Sequence, residues 1–88
     1  MKIYLIANIN IKMNRIHLET FSDTLENAIK YTINNFTDEA GFYDGVLIEE
    51  RSMEKPIYRG KRLWYKLSEG KLMEIEEPSE YKNVFNLI

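Results

Sequence analysis

Asp23-Thr-Leu-Glu-Asn-Ala-Ile-Lys-Tyr-Thr-Ile-Asn-Asn-Phe36 is the stretch that decides the fold class, because it reads as one amphipathic helix set among short strand-like runs. From Thr24 to Phe36, the residues Leu25, Ala28, Ile29, Thr32, Ile33 and Phe36 recur at the spacing of a single helical face, so one stripe is built for burial. Asp23 and Glu26 stand where a capping box needs them: the Asp23 carboxylate accepts from the Glu26 backbone N–H, and the Glu26 side chain reaches back to the Asp23 N–H. Asn34, Asn35, Thr37 and Asp38 end the helix. Asn27, Lys30, Tyr31 and Asn34 lie on or near its other side, so the helix is expected to cover a sheet whose far face meets water.

Working outward, Lys2 to Ile9 is apolar on both faces, with Ile3, Leu5, Ala7 and Ile9 against Tyr4 and Ile6. That suits a central strand covered on both sides, or a subunit contact on one. Arg15 to Phe21 alternates, Ile16 and Leu18 facing one way and His17 and Glu19 the other, and returns antiparallel through the loop at 10–14. Gly41 to Gly45 is loop, Val46 to Arg51 is strand, and Pro56 and Gly60 mark a turn-rich connection to a final hairpin. The expectation is one domain over residues 1–88, of α+β class: an antiparallel sheet of four to five strands with one helix on one face, in the order ββαβββ.

The final hairpin can be read to its register. Ser68-Glu69-Gly70 fits a three-residue loop whose last residue is left-handed, a conformation glycine adopts without steric cost. Leu67 then opposes Lys71, Tyr65 opposes Met73 and Leu63 opposes Ile75 on an apolar face, while Trp64 opposes Glu74 and Arg62 opposes Glu76 on a charged one. A two-residue loop would mix Leu63 and Tyr65 with Glu74 and Glu76, so the three-residue loop is expected. It leaves Trp64 among Arg62, Lys66, Glu74 and Glu76, where a large ring on a wet surface serves as an anchor for a partner. The competing reading is that the apolar tail, Tyr81 to Ile88, folds back over Trp64, or that a second copy of the chain buries it.

Charge is informative by segment. Fourteen acidic residues against twelve basic ones leave a net charge of −2, too small to mark a nucleic-acid binder. Between Arg51 and Lys71, however, seven basic residues stand against two acidic ones, with Tyr58, Trp64 and Tyr65 interleaved. Cations meeting phosphates and rings meeting bases would hold single-stranded nucleic acid. Glu74, Glu76, Glu77 and Glu80 follow directly and would neutralise part of that charge. The candidate partner-binding residues are therefore Trp64, Arg62, Lys66, Glu74, Glu76, Tyr58 and Arg59.

Other classes are argued against. With 44% hydrophobic and 30% charged residues the chain is neither disordered by composition nor a membrane span, and the opening run lacks a cleavage site. A cytoplasmic location is expected. Zero cysteines exclude disulfides and thiolate chemistry. His17 has no second histidine or cysteine to complete a metal site and reads as a surface strand residue. Glu49 and Glu50 point to opposite faces of one strand, and no serine or aspartate lies in a nucleophile-elbow or phosphate-loop context. No catalytic residue, metal or cofactor is expected.

Val46-Leu-Ile-Glu-Glu-Arg51, Arg62-Leu-Trp-Tyr-Lys66, Glu69-Gly-Lys71 and Glu74-Ile-Glu-Glu-Pro78 together resemble the closing portion of small phage and prophage proteins. The resemblance covers about a quarter of the chain and carries no residue roles with it. It implies a small accessory protein, a class that includes inhibitors of host enzymes and of antiviral systems such as CRISPR effectors. The leading expectation is thus a non-catalytic module that binds and occludes a host protein through the hairpin face around Trp64 and the acidic edge at Glu74–Glu80. The alternative is a nucleic-acid or small-ligand binder using residues 51–71, and self-association as a homodimer is the third partner considered.

Overall fold

The first strand, β1 (Lys2–Asn10), lies inside the sheet, as its two apolar faces require: Leu5, Ile6, Ala7 and Ile9 are all buried. β2 (Arg15–Ser22) returns beside it, α1 (Leu25–Asn35) crosses over, and β3 (Gly45–Ser52), β4 (Arg59–Ser68) and β5 (Lys71–Ile75) follow. This computed structural model describes residues 2–13, 15–36, 43–52 and 59–78, without the side chain of Arg59. The five strands form one antiparallel sheet in the order β2-β1-β3-β4-β5, the expected ββαβββ arrangement of an α+β fold.

The helix begins one residue later than the capping-box reading places it. Thr24 is the N-cap: its backbone is extended (φ −134°, ψ 152°), and its Oγ1 accepts from the Asn27 backbone N–H at 3.1 Å. Asp23 instead accepts from the Asn27 side-chain amide at 3.5 Å, and Glu26, one turn before Lys30, pairs with its ammonium group at 3.4 Å. At the other end Phe36 leaves the helical region but still donates its N–H to the Thr32 carbonyl at 3.1 Å.

Ala28 and Thr32 are buried, with Leu25, Ile29 and Phe36 packed beside them against Ile6, Val46 and Ile48 of the sheet. Ile33 departs from its expected role and is 64% exposed. At about 100° per residue it lies roughly 80° from the line through Leu25, Thr32 and Phe36, at the margin of the stripe. Tyr31, expected on the polar side, packs against this core at the opposite margin.

The far face of the sheet is not the wet face expected of it. Ala7, Ile9, Leu47 and Trp64 form a second buried cluster there, with Ile11, Ile16 and Ile75 packed against it. β1 and β3 are therefore covered on both sides.

Two register details shape both surfaces. Ile6 pairs with Thr20 and Ala7 with Leu18, so Glu19 is an extra residue in β2, a β-bulge. The bulge reverses the alternation beyond it and puts Phe21, opposite Leu5, on the same side as Leu18. In the hairpin, Ser68 pairs with Lys71, Leu67 with Leu72, Tyr65 with Glu74 and Trp64 with Ile75. The loop is thus the two residues Glu69 and Gly70, at φ 50° and 79°. Two successive positive φ values are the signature of a type I′ turn, whose twist matches that of the strands it joins. The three-residue register is overturned because the two-residue turn brings Ile75 beside buried Trp64, while Glu74 and Glu76 stay exposed at the sheet margin.

Candidate functional site

The residues expected to form one contact patch are not gathered into one. Trp64, the proposed exposed anchor, is 2% exposed and packs with Ala7, Ile9 and Leu47. Its burial follows from the hairpin register, which sets it opposite Leu47 on one side and Ile75 on the other rather than opposite Glu74. Lys66 is exposed and opposes Met73, not Glu74. Glu74 falls on the helix side of the sheet, opposite Tyr65, whose hydroxyl pKa is raised above 10.0 by burial and then by the Glu74 charge. Glu76 is exposed beyond the end of β5. Arg59 pairs its backbone with Arg51; its side chain, Tyr58 and the tail at 81–88 lie outside the described residues.

Arg62 sits in an ion cluster rather than at a free surface. Its Nε lies 3.3 Å from Glu49 Oε2, and its Nη1 donates to Glu77 Oε1 at 2.6 Å, in place of the expected Glu76. Glu49, with a side chain 0% exposed, also accepts from Arg51 Nε at 3.1 Å. Glu50 faces the other way, as the alternation requires, and holds the Tyr4 hydroxyl at 3.3 Å and Lys2 at 3.6 Å. Two of the seven cations in the basic segment are thereby turned toward carboxylates, which weakens its case as a phosphate-binding strip.

Exposed apolar surface gathers elsewhere, on β2. Leu18 is 46% exposed and Phe21 66%, and the bulge at Glu19 places them on one face of this terminal strand; Met13, in the turn before it, is also exposed. Strict alternation would have separated Leu18 from Phe21, which is why the pair escaped the sequence reading.

On the other face of β2 a cleft of about 250 Å³ opens beneath α1. His17 and Glu19 form its outer wall, Tyr31, Thr32, Asn35 and Phe36 the helix wall, Tyr43 one end, and Ile6 and Val46 the floor. The His17 and Tyr43 rings lie 6.1 Å apart and tilted by 31°. Asn8 donates its side-chain amide to Glu19 Oε2 at 3.4 Å. Asp44 holds Tyr43 in place: its N–H donates to the Ile9 carbonyl at 3.0 Å, its carbonyl accepts from the Leu67 N–H at 2.8 Å, and its carboxylate accepts from the Ile11 N–H at 2.7 Å. Thr32 Oγ1 is fully buried, and among the described residues it has no hydrogen-bond partner. An unmet buried hydroxyl costs about 1–3 kcal/mol. Alternation had put His17 and Glu19 on one face, but nothing local in the sequence joins them to Tyr43 or to the underside of the helix.

No three histidine, aspartate or glutamate side chains converge as a metal site among the described residues, and no described helix is long and apolar enough to cross a membrane. Comparison of the chain with protein-family models, with curated proteins and with solved structures finds no match.

Proposed function

We propose that this is a non-catalytic module that binds and occludes another protein, with Leu18 and Phe21 as the centre of contact. The carrying observation is the exposed pair itself: two large apolar side chains held on one face of a terminal strand by the bulge at Glu19. Burying such side chains in a partner's pocket removes apolar area from water, at roughly 25 cal/mol per Å². Contact is through side chains rather than strand addition, because the bulge interrupts the row of backbone groups along β2. Lys12 and Arg15 are exposed beside Met13 and the start of the strand, so the partner is one whose apolar pocket has a carboxylate rim. The resemblance of the C-terminal half to small phage proteins supports a host protein as the partner, occluded in the manner of a host-takeover or anti-defence inhibitor of the CRISPR-inhibiting type.

The test is an affinity capture from nuclease-treated bacterial lysate with the native chain and the Leu18→Ser/Phe21→Ser variant side by side. A protein retained by the native chain and lost by the variant supports the reading. Retention by both variant and native chain, recovery of nucleic acid alone from untreated lysate, or sedimentation of the pure chain as a dimer that the variant abolishes would each overturn it.

A further inference from the structure

We propose that the cleft between α1 and β2 is a binding site for a small free organic cation that carries a primary or a methylated ammonium group. It lies on the face of β2 away from Leu18 and Phe21, so it stands or falls apart from the protein-binding reading.

Two observations converge on that ligand. Among the described residues lining the cleft, Glu19 is the one carboxylate, and apart from the His17 imidazole no basic side chain joins it. An anion would meet a carboxylate and no countercharge, whereas an ammonium group meets its complement. The aromatic side chains of Tyr31, Phe36 and Tyr43 line the same space, and the negative faces of phenyl and phenol rings attract alkylammonium groups, the more so where water is displaced.

The local structure is arranged for this. The bulge adds Glu19 on the helix side of β2, and the Asn8 amide holds its carboxylate from one side at 3.4 Å, leaving its other oxygen for the guest. A volume of about 250 Å³ admits an amine of modest size and excludes a large cofactor.

The experiment is an amide NMR titration of the full chain with tetramethylammonium and putrescine, with sodium phosphate as the anionic control and an α-acetylated lysine amide as a mimic of a protein side chain. Saturable shifts at His17, Glu19, Thr32 and Asn35 with the two free cations, and none with phosphate, are expected. Glu19→Gln should weaken binding about fivefold, the upper range for an ion pair at an exposed carboxylate. Shifts of the same residues by phosphate, no saturable shift with either cation, or unchanged affinity in Glu19→Gln would overturn the proposal. Tighter binding of the lysine amide than of both free cations would overturn its assignment to a free metabolite.

Discussion

Replacing Trp64 by alanine tests the central correction to the surface reading, that this ring is core and not anchor. At 2% exposure the side chain has removed nearly all of its area from water, and an aromatic of this size buries about 150–250 Å². At roughly 25 cal/mol per Å² that is about 4–6 kcal/mol, and measured Phe→Ala and Trp→Ala truncations in cores fall at about 3–5 kcal/mol. We take about 4 kcal/mol. A chain of 88 residues has a total stability of roughly 4–13 kcal/mol, so Trp64→Ala should leave it marginal or unfolded at room temperature. Trp64→Phe keeps a ring against Ala7, Ile9 and Leu47 and should cost about 1–2 kcal/mol, which keeps the measurement possible if the alanine variant does not fold. The assay is urea unfolding followed by far-ultraviolet circular dichroism, with m-values compared across the variants. Trp64 is the one tryptophan of the chain, so native fluorescence reports this position alone and should be blue-shifted and shielded from acrylamide. A loss below about 1 kcal/mol in Trp64→Ala with unchanged m, or emission like that of tryptophan in water, would refute the burial argument.

The turn and the tyrosine beside it give two further tests. Glu69 holds φ 50°, a region that asparagine tolerates far better than glutamate, so Glu69→Asn should raise stability by about 0.5–1 kcal/mol in thermal unfolding; in a three-residue loop Glu69 would not be left-handed, and the gain would vanish. Burial, and secondarily the Glu74 charge, raise the Tyr65 pKa above 10.0, so the protonated hydroxyl is favoured in the folded chain. Its contribution to stability is therefore complete below pH 10.0 and is lost as pH rises through the folded-state pKa, because the unfolded chain loses its proton first. Stability measured against pH should fall less steeply on that alkaline limb in Tyr65→Phe than in the native chain, and equal slopes would count against the assignment.

The helix and the order of elements along the chain were legible because their signals are local: apolar spacing in α1 and two-sided apolarity in β1. The hairpin register was not, since the choice turned on where Trp64 and Glu74 would find themselves. Alternation can say that Leu63 and Tyr65 share a face, but not that β5 is a terminal strand whose Glu74 stays exposed on the helix side. The bulge at Glu19 was invisible for a related reason, as it depends on the pairing of β2 with β1 and has no residue type of its own. Both surfaces argued here depend on that bulge, so the candidate sites were the least readable part of the chain.

The ion cluster on the far face has a role in register that its stability alone does not explain. A carboxylate as enclosed as Glu49 loses most of its hydration, and the attraction of Arg51 and Arg62 does little more than offset that loss. Removing one partner is another matter: with Arg51 alone against it the buried carboxylate is under-compensated, and the loss approaches that of a broken buried pair, about 3–5 kcal/mol. Sliding β4 by one residue along β3 would do so: Arg62, opposite Glu49 in the present register, would turn to the helix side, and Trp64 would leave the pocket formed with Ala7, Ile9 and Leu47. Glu49, Arg62 and Trp64 thus penalise the same error by independent means, one electrostatic and one steric. Gly45 permits this register, because a Cβ there would strike the Tyr65 carbonyl oxygen. With β3 and β4 held in this way, the Leu67 N–H meets the Asp44 carbonyl, Asp44 reaches Ile9 and Ile11 in turn, and Tyr43 is delivered to the end of the cleft beside His17. The geometry of the cleft on one face of the sheet is therefore set in part by the buried charge on the other.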